Sequence, residues 1–292
     1  MINDSLLYNV SDIVNKYGKN LSNQNLIGKN FKSCDFTNII FSNNKMLFQE
    51  SSHKSIDNSI FNNFDFSKFN MDGVSMKKCI IGEGCILPKD KDFFKKLAKS
   101  SIEGVCFQAI DLSIYDFSGV DITGAKFEMG CTLPDEPSLF QCVKGKSLLN
   151  VTLPERDYSM YNFNDVALVG VKFTKHSKLP ISNNFFQNIR DRNVSFSVLP
   201  EGDYRLYDFD GVSLMYTEFG EKSLMPNRYN FLKNTATVQG CYLGSDFYTK
   251  AHLYNLKDLS CSIKLSNLTL EQSAIIFSKY KDEINKKRIV LK

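Results

Sequence analysis

Histidine is scarce in this chain, and what is missing around its three copies excludes most chemistry. His53, His176 and His252 each lie in irregular stretches, and none has a second histidine four residues on. An HExxH zinc site, a Walker loop, a GxGxxG phosphate loop and a G-x-S-x-G nucleophile turn are all missing. The cysteines Cys34, Cys79, Cys85, Cys106, Cys131, Cys142, Cys241 and Cys261 form no CxxC pair and no zinc spacing. Cys34 and Cys79 stand at positions expected to be small and inward, which points to buried thiols in a reducing compartment, while Cys142 and Cys241 lie outside such positions. No metal, no cofactor and no catalytic residue is expected. No run of eighteen apolar residues offers a transmembrane helix. The opening MINDSLLYNVSDIVNKYGKN lacks the basic start and apolar run of a cleavable secretory signal. Net charge is only +4, short of the concentrated basic face that nucleic acid requires, and 42% hydrophobic content is ordinary for a folded protein.

What is present is a period of five. Leu153, Tyr158, Phe163, Leu168 and Phe173 occupy every fifth position, and the pattern recurs 46 residues later at Leu199, Tyr204, Phe209, Leu214 and Phe219. It also stands 46 residues earlier at Phe107, Leu112, Phe117, Ile122 and Phe127, and before that at Phe61, Phe66, Met71, Met76 and Ile81. Five suits neither a helix at 3.6 residues per turn nor a strand alternating at two. It suits a chain that turns a corner about every five residues, the fifth side chain pointing inward. Asn or Asp commonly precedes the inward residue, as such side chains bond nearby backbone in turns. They stand at Asn20, Asn25, Asn30, Asp35, Asp65, Asn70, Asp111, Asp116, Asp121, Asp157, Asn162, Asp203 and Asp208.

With Asn20-Leu21, Asn25-Leu26, Asn30-Phe31 and Asp35-Phe36, and Cys34 two places before Phe36, the chain resembles the pentapeptide-repeat family. The resemblance covers about residues 20 to 219. It implies an all-β fold, a right-handed quadrilateral parallel β-helix or pentapeptide-repeat solenoid, with short helical insertions and N- and C-terminal helical caps. The family places a small residue two before the centre, as at Cys34, Ser59, Cys79, Ala125, Ser197 and Thr217. Phe69, Tyr115, Tyr161 and Tyr207 depart from that rule once per 46 residues, so either one side is widened or these rings lie at a corner.

Three segments follow. Residues 1–19, with Leu6, Val10, Ile13 and Val14 at helical spacing and Ser11 and Asp12 as cap residues, read as an N-terminal helical cap. Residues 20–268 carry the repeats, and 269–292 read as a capping helix with Thr269 and Gln272 as its capping box. Two coils of about twenty residues leave roughly six extra per unit of 46. The extras share a form: Leu87-Pro88, Leu133-Pro134, Leu179-Pro180 and Met225-Pro226, each followed by an apolar pair such as Phe93-Phe94 or Phe185-Phe186. Proline has no amide hydrogen for a ladder, so these mark breaks followed by one helical turn, recurring as ribs along one side.

Such ribs, anchored alike but with different tips, point to a non-enzymatic protein-binding rod. Candidate partner-binding residues are Lys89, Lys91, Lys95, Glu155, Arg190, Arg192, Glu201 and Arg205. Glu155 and Glu201, in LPERDY and LPEGDY, have the same spacing in neighbouring units, so repeat geometry explains them better than a carboxylate pair of a glycosidase. Rods with irregular insertions and helical caps also look like type III secreted effectors of enteric bacteria. The expected location is the bacterial cytoplasm, and the likeness adds export into a host cell with a host protein as partner. In some such effectors the rod precedes a ubiquitin-ligase lobe, and nothing here supplies one. A second family reading, a DNA mimic acting on a topoisomerase, is disfavoured by the positive net charge.

Overall fold

The local structure is set by the Asn and Asp residues. The computed structural model describes residues 8–226, Ala236 and Cys241, and the backbone of 261–263 and 289–291. In it, the side chains of Asn20, Asn25, Asn30, Asp35, Asp65, Asn70, Asp111, Asp116, Asp121, Asp157, Asn162, Asp203 and Asp208 each accept the backbone N–H two residues on, at 2.8–3.1 Å. Each turns the chain by an Asx turn immediately before an inward residue. The twenty fifth-position residues from Phe61 to Phe219 named above are all buried, none more than 4% exposed.

By its contacts the chain divides into two compact units, residues 1–147 and 148–292. The first opens with helix α1 (Val10–Tyr17), which buries Val10 and Ile13. Its cap residue is Asn9 rather than Ser11 or Asp12, and the Asn9 carboxamide oxygen accepts the Asn30 side chain instead of capping the helix. Four two-residue strands follow: β1 (Ile60–Phe61), β2 (Ile80–Ile81), β3 (Cys106–Phe107) and β4 (Lys126–Phe127). They form one parallel sheet in sequence order, with Ile60 opposite Ile80, Ile80 opposite Cys106, and Cys106 opposite Lys126. The steps are thus 20, 26 and 20 residues, and the longer one contains helix α2 (Phe93–Lys96). Helix α3 (Leu139–Cys142) stands 46 residues after α2.

In the second unit, Thr152 bridges Lys172 and Lys172 bridges Val198, steps of 20 and 26, the longer containing helix α4 (Phe185–Asn188). Strands β5 (Val198–Leu199) and β6 (Glu218–Phe219) form a two-stranded parallel sheet. A further parallel pair joins β7 (Cys261–Ile263) to β8 (Ile289–Leu291), so 289–291 is extended. The other residues assigned to a C-terminal helix lie outside the described residues.

The expected fold class needs correction. The all-β, closed quadrilateral β-helix is not what the structure shows: it is mixed α/β, with a four-stranded and a two-stranded parallel sheet, a short third pair and four α-helices among the described residues. The reason is local. A period of five fixes where the chain turns and which side chain goes inward, and neither closes a wall. Most residues between the inward positions are spent on turns, so each ladder contributes two residues to a strand. Every second step then gives its core place to a helical turn.

That helical turn is part of the core. Phe94 is fully buried and stacks on Phe117, with ring centroids 5.2 Å apart and planes at 26°. Phe186 repeats this on Phe209 at 4.6 Å and 29°. Tyr115, Tyr161 and Tyr207, which break the small-residue rule, are also buried, while Phe69 is half-buried. A helical phenylalanine packs against Tyr115 and Tyr207 alike, Phe94 at 5.0 Å and Phe186 at 5.5 Å. Small residues keep their expected place elsewhere: Cys34, Ser59, Cys79, Ala125, Ser197 and Thr217 are all buried. The hydroxyls of Ser59, Ser197 and Thr217 donate to the backbone oxygens of Phe31, Leu168 and Val194.

Candidate functional site: the anchored tips

Each long step is pinned at both ends. Leu87, Leu133 and Leu179 are buried at the entry. At the exit lie Phe93 and Phe94, Leu139 and Phe140, or Phe185 and Phe186, and then Leu97, Val143 or Ile189, all buried. The proline carbonyl supplies a further tie. The Tyr115 hydroxyl donates to the Pro88 oxygen and the Tyr207 hydroxyl to the Pro180 oxygen, both at 2.9 Å. Burial pushes both phenols up to about 12. An unfolded tyrosine titrates near 10, so these groups stabilise the fold fully below about pH 10 and lose that contribution as pH rises toward 12. Denaturant titrations across that window are expected to show stability falling, and falling less in Tyr115→Phe. Equal slopes in variant and parent contradict the burial of the Tyr115 phenol.

Between the pins the residues are open and differ. Residues 135–138, Asp-Glu-Pro-Ser, are all exposed, as are 181–184, Ile-Ser-Asn-Asn, with Ile181 at 81%. In the first tip Lys89 and Lys91 are exposed, whereas Asp90 pairs with Lys96 and Asp92 with Lys95 at 3.0 Å. Backbone ladders hold two tips in the same place on their units: Asp116 N–H donates to the Lys91 oxygen and Asp208 N–H to the Asn183 oxygen, both at 2.8 Å.

The structure sorts the eight residues singled out by sequence. Lys89, Lys91, Glu155 and Arg192 are exposed and in no ion pair among the described residues. The other four have structural partners. Lys95 bridges Asp92 and Asp116, and it holds the Asp116 carboxyl down at about 2. Arg190 pairs with Asp165 through its Nε at 3.2 Å, Glu201 accepts Lys175 at 3.3 Å, and Arg205 pairs with Asp203. Glu155 and Glu201 belong to separate Leu-Pro turns preceding Tyr158 and Tyr204, whose hydroxyls donate to the Pro154 and Pro200 oxygens.

Sequence reasoning missed the exposed apolar side chains beside the third tip. Tyr158 N–H donates to the Lys178 oxygen and Asp208 N–H to the Asn183 oxygen, a register that brings Met160, Ile181 and Leu206 to successive steps. They are 77%, 81% and 64% exposed. The signal was there: Ile114, Met160 and Leu206 recur at 46 residues, two places after the inward residue.

Five of the described thiols are not poised for nucleophilic chemistry. Burial raises Cys34, Cys85, Cys106 and Cys131 above the ordinary thiol range and takes Cys79 to about 12. No group of three metal-binding side chains occurs among the described residues, and no described helix is long and apolar enough to cross a membrane. The chain matches no protein-family model, no curated protein and no solved structure. Its resemblance to pentapeptide-repeat proteins rests on sequence spacing alone.

Proposed function

We propose that the chain is a non-catalytic protein-binding module whose tips 89–92, 135–138 and 181–184 contact a protein partner. One observation carries this reading. The pins of all three tips are buried in the same way, while the residues between them are largely exposed and differ from tip to tip. Packing accounts for the pins; it makes no demand on Lys89, Glu136 or Ile181. An exposed apolar residue between polar neighbours is the kind of side chain that becomes an anchor at an interface. A bacterial effector acting on a host protein is one setting that fits such a module.

The test replaces the three tips by Gly-Ser sequences of equal length, keeping every Leu-Pro pair and every buried residue of the three helices. The thermal midpoint is expected to stay nearly unchanged, since exposed substitutions seldom matter by more than about 0.5 kcal/mol. Affinity capture with the intact chain should retain a protein that the tip-replaced chain does not. The same proteins captured equally by both would contradict the reading.

A further inference from the structure

Helices α2 and α3 are each followed by a three-residue turn whose last two residues are in left-handed backbone, residues 52–54 form a turn of the same kind, and all three turns are basic. Residues 52–54 are Ser-His-Lys, 98–100 Ala-Lys-Ser and 144–146 Lys-Gly-Lys. His53 and Lys54 have φ of 61° and 45°, Lys99 and Ser100 of 58° and 48°, and Gly145 and Lys146 of 64° and 45°. Left-handed backbone is uncommon for residues other than Gly, Asn and Asp, and it costs free energy wherever a lysine adopts it. Gly145 shows that the turn accepts glycine.

Hydrogen bonds fix the spacing of these turns. Ser75 N–H donates to the Lys54 oxygen and Ala98 N–H to the Val74 oxygen, which puts one ladder step between the first turn and the second. Asp121 N–H to Ser100 and Lys144 N–H to Val120 do the same between the second and the third. Two ladder steps span about 9.6 Å. Lys54, Lys99 and Lys144 are exposed, and none has an acidic partner among the described residues. In the intervening step between the second and third turns, the Asp121 carboxylate accepts the Thr123 N–H at 3.1 Å.

We propose that Lys54, Lys99 and Lys144 form a docking strip for an acidic, extended polypeptide segment in polyproline II conformation, with a carboxylate at every third residue. Such a chain advances about 9.3 Å per three-residue turn and returns each third side chain to one face, matching the strip's interval. An alternating strand puts residues i and i+3 on opposite faces and cannot do this. Duplex DNA carries a charge every ~1.7 Å, far denser than the strip. The lysine stems are long enough to absorb their differing places within each turn. The proposal rests on the protein-binding reading and adds a second surface with a defined partner chemistry.

The test measures binding of a labelled peptide, Glu-Pro-Ser repeated five times, against a peptide of the same composition with its glutamates consecutive. Wild type is expected to bind the spaced peptide more tightly, and more weakly as salt rises. In a variant with Lys54→Asn, Lys99→Asn and Lys144→Asn, asparagine suits the left-handed backbone at 54 and 99 and position 144 lies outside that region, so the thermal midpoint should hold while binding weakens roughly tenfold, within the range of three exposed ion pairs. A control with Lys45→Asn, Lys78→Asn and Lys126→Asn removes equal charge from the same unit and should bind like wild type. The tip-replaced chain should also bind the peptide normally, so failure at the tips and failure at the strip read separately. Equal binding of the two peptides, undiminished binding by the strip variant, or tighter binding to phosphatidylserine vesicles or single-stranded DNA would overturn the proposal.

Discussion

Phe94→Ala is expected to cost about 3–5 kcal/mol, the range for truncating a buried aromatic. The sequence casts Phe94 as part of an apolar pair in a helical turn that follows the Leu87-Pro88 break. In the structure its ring is fully buried and contacts Phe93, Phe107, Tyr115 and Phe117 at centroid distances of 5.0–5.8 Å. Removing it leaves the Phe117 face without its stacking partner and opens a cavity that the rigid neighbouring turns cannot fill. Chemical denaturation of the variant reads the loss directly. A change below about 1 kcal/mol would mean that the helical turn lies outside the core.

Gly220→Ala is the second large effect, and its cause is steric. Gly220 lies at the end of β6, its N–H donating to the Leu199 oxygen at 3.1 Å. A Cβ there would stand 2.6 Å from the Glu201 nitrogen and 2.8 Å from its Cα, distances that real Cβ atoms do not reach. Those are backbone atoms, and the Glu201 N–H is held by the Lys175 oxygen at 2.9 Å, so the neighbouring step has no rotamer with which to retreat. The cost should fall at about 1–3 kcal/mol, as for other overpacked sites. Gly170→Ala is the informative contrast: there the obstructing atom is the Asn150 side-chain oxygen, which can turn away, although a φ of +71° adds strain. A stability for Gly220→Ala equal to that of the parent would show that β5 and β6 approach less closely than the structure has them.

Much of this was legible in the sequence, and the reason is that turns are local. An Asp or Asn before each inward residue needs only its own neighbours to form an Asx turn, so Asp116 or Asn162 can be read without knowing the fold. The inward residues were legible for the same reason, since the turn fixes which side chain points away from solvent. What failed was closure and the role of the insertions. Whether successive steps wrap into one closed wall depends on how many residues enter each ladder, and a period of five says nothing of that. The Leu-Pro breaks were visible, but proline marks only where a ladder stops. That Phe94 and Phe186 then take a core position follows from the tyrosines two before Phe117 and Phe209, which occupy the place where a small residue is expected.

The ion pairs among the candidate residues were not legible in the sequence. Lys95, Arg190, Glu201 and Arg205 read from sequence as free rib or turn charges, yet each meets a carboxylate or an ammonium. Lys95 and Arg190 reach partners 21 and 25 residues away, across a ladder step whose length the sequence does not print at that point. Lys89 and Lys91 are in no ion pair among the described residues, where the neighbouring aspartates pair with Lys95 and Lys96.

Hydrogen–deuterium exchange of the chain, alone and bound to a protein captured by the intact chain, tests the central claim most directly. The account predicts slowed exchange in 89–92, 135–138 or 181–184 on binding, with the buried ladder amides of β1–β6 unchanged because they are already protected in the free chain. Protection that appears only elsewhere on the two units, with all three tips exchanging as fast as in the free chain, would contradict it.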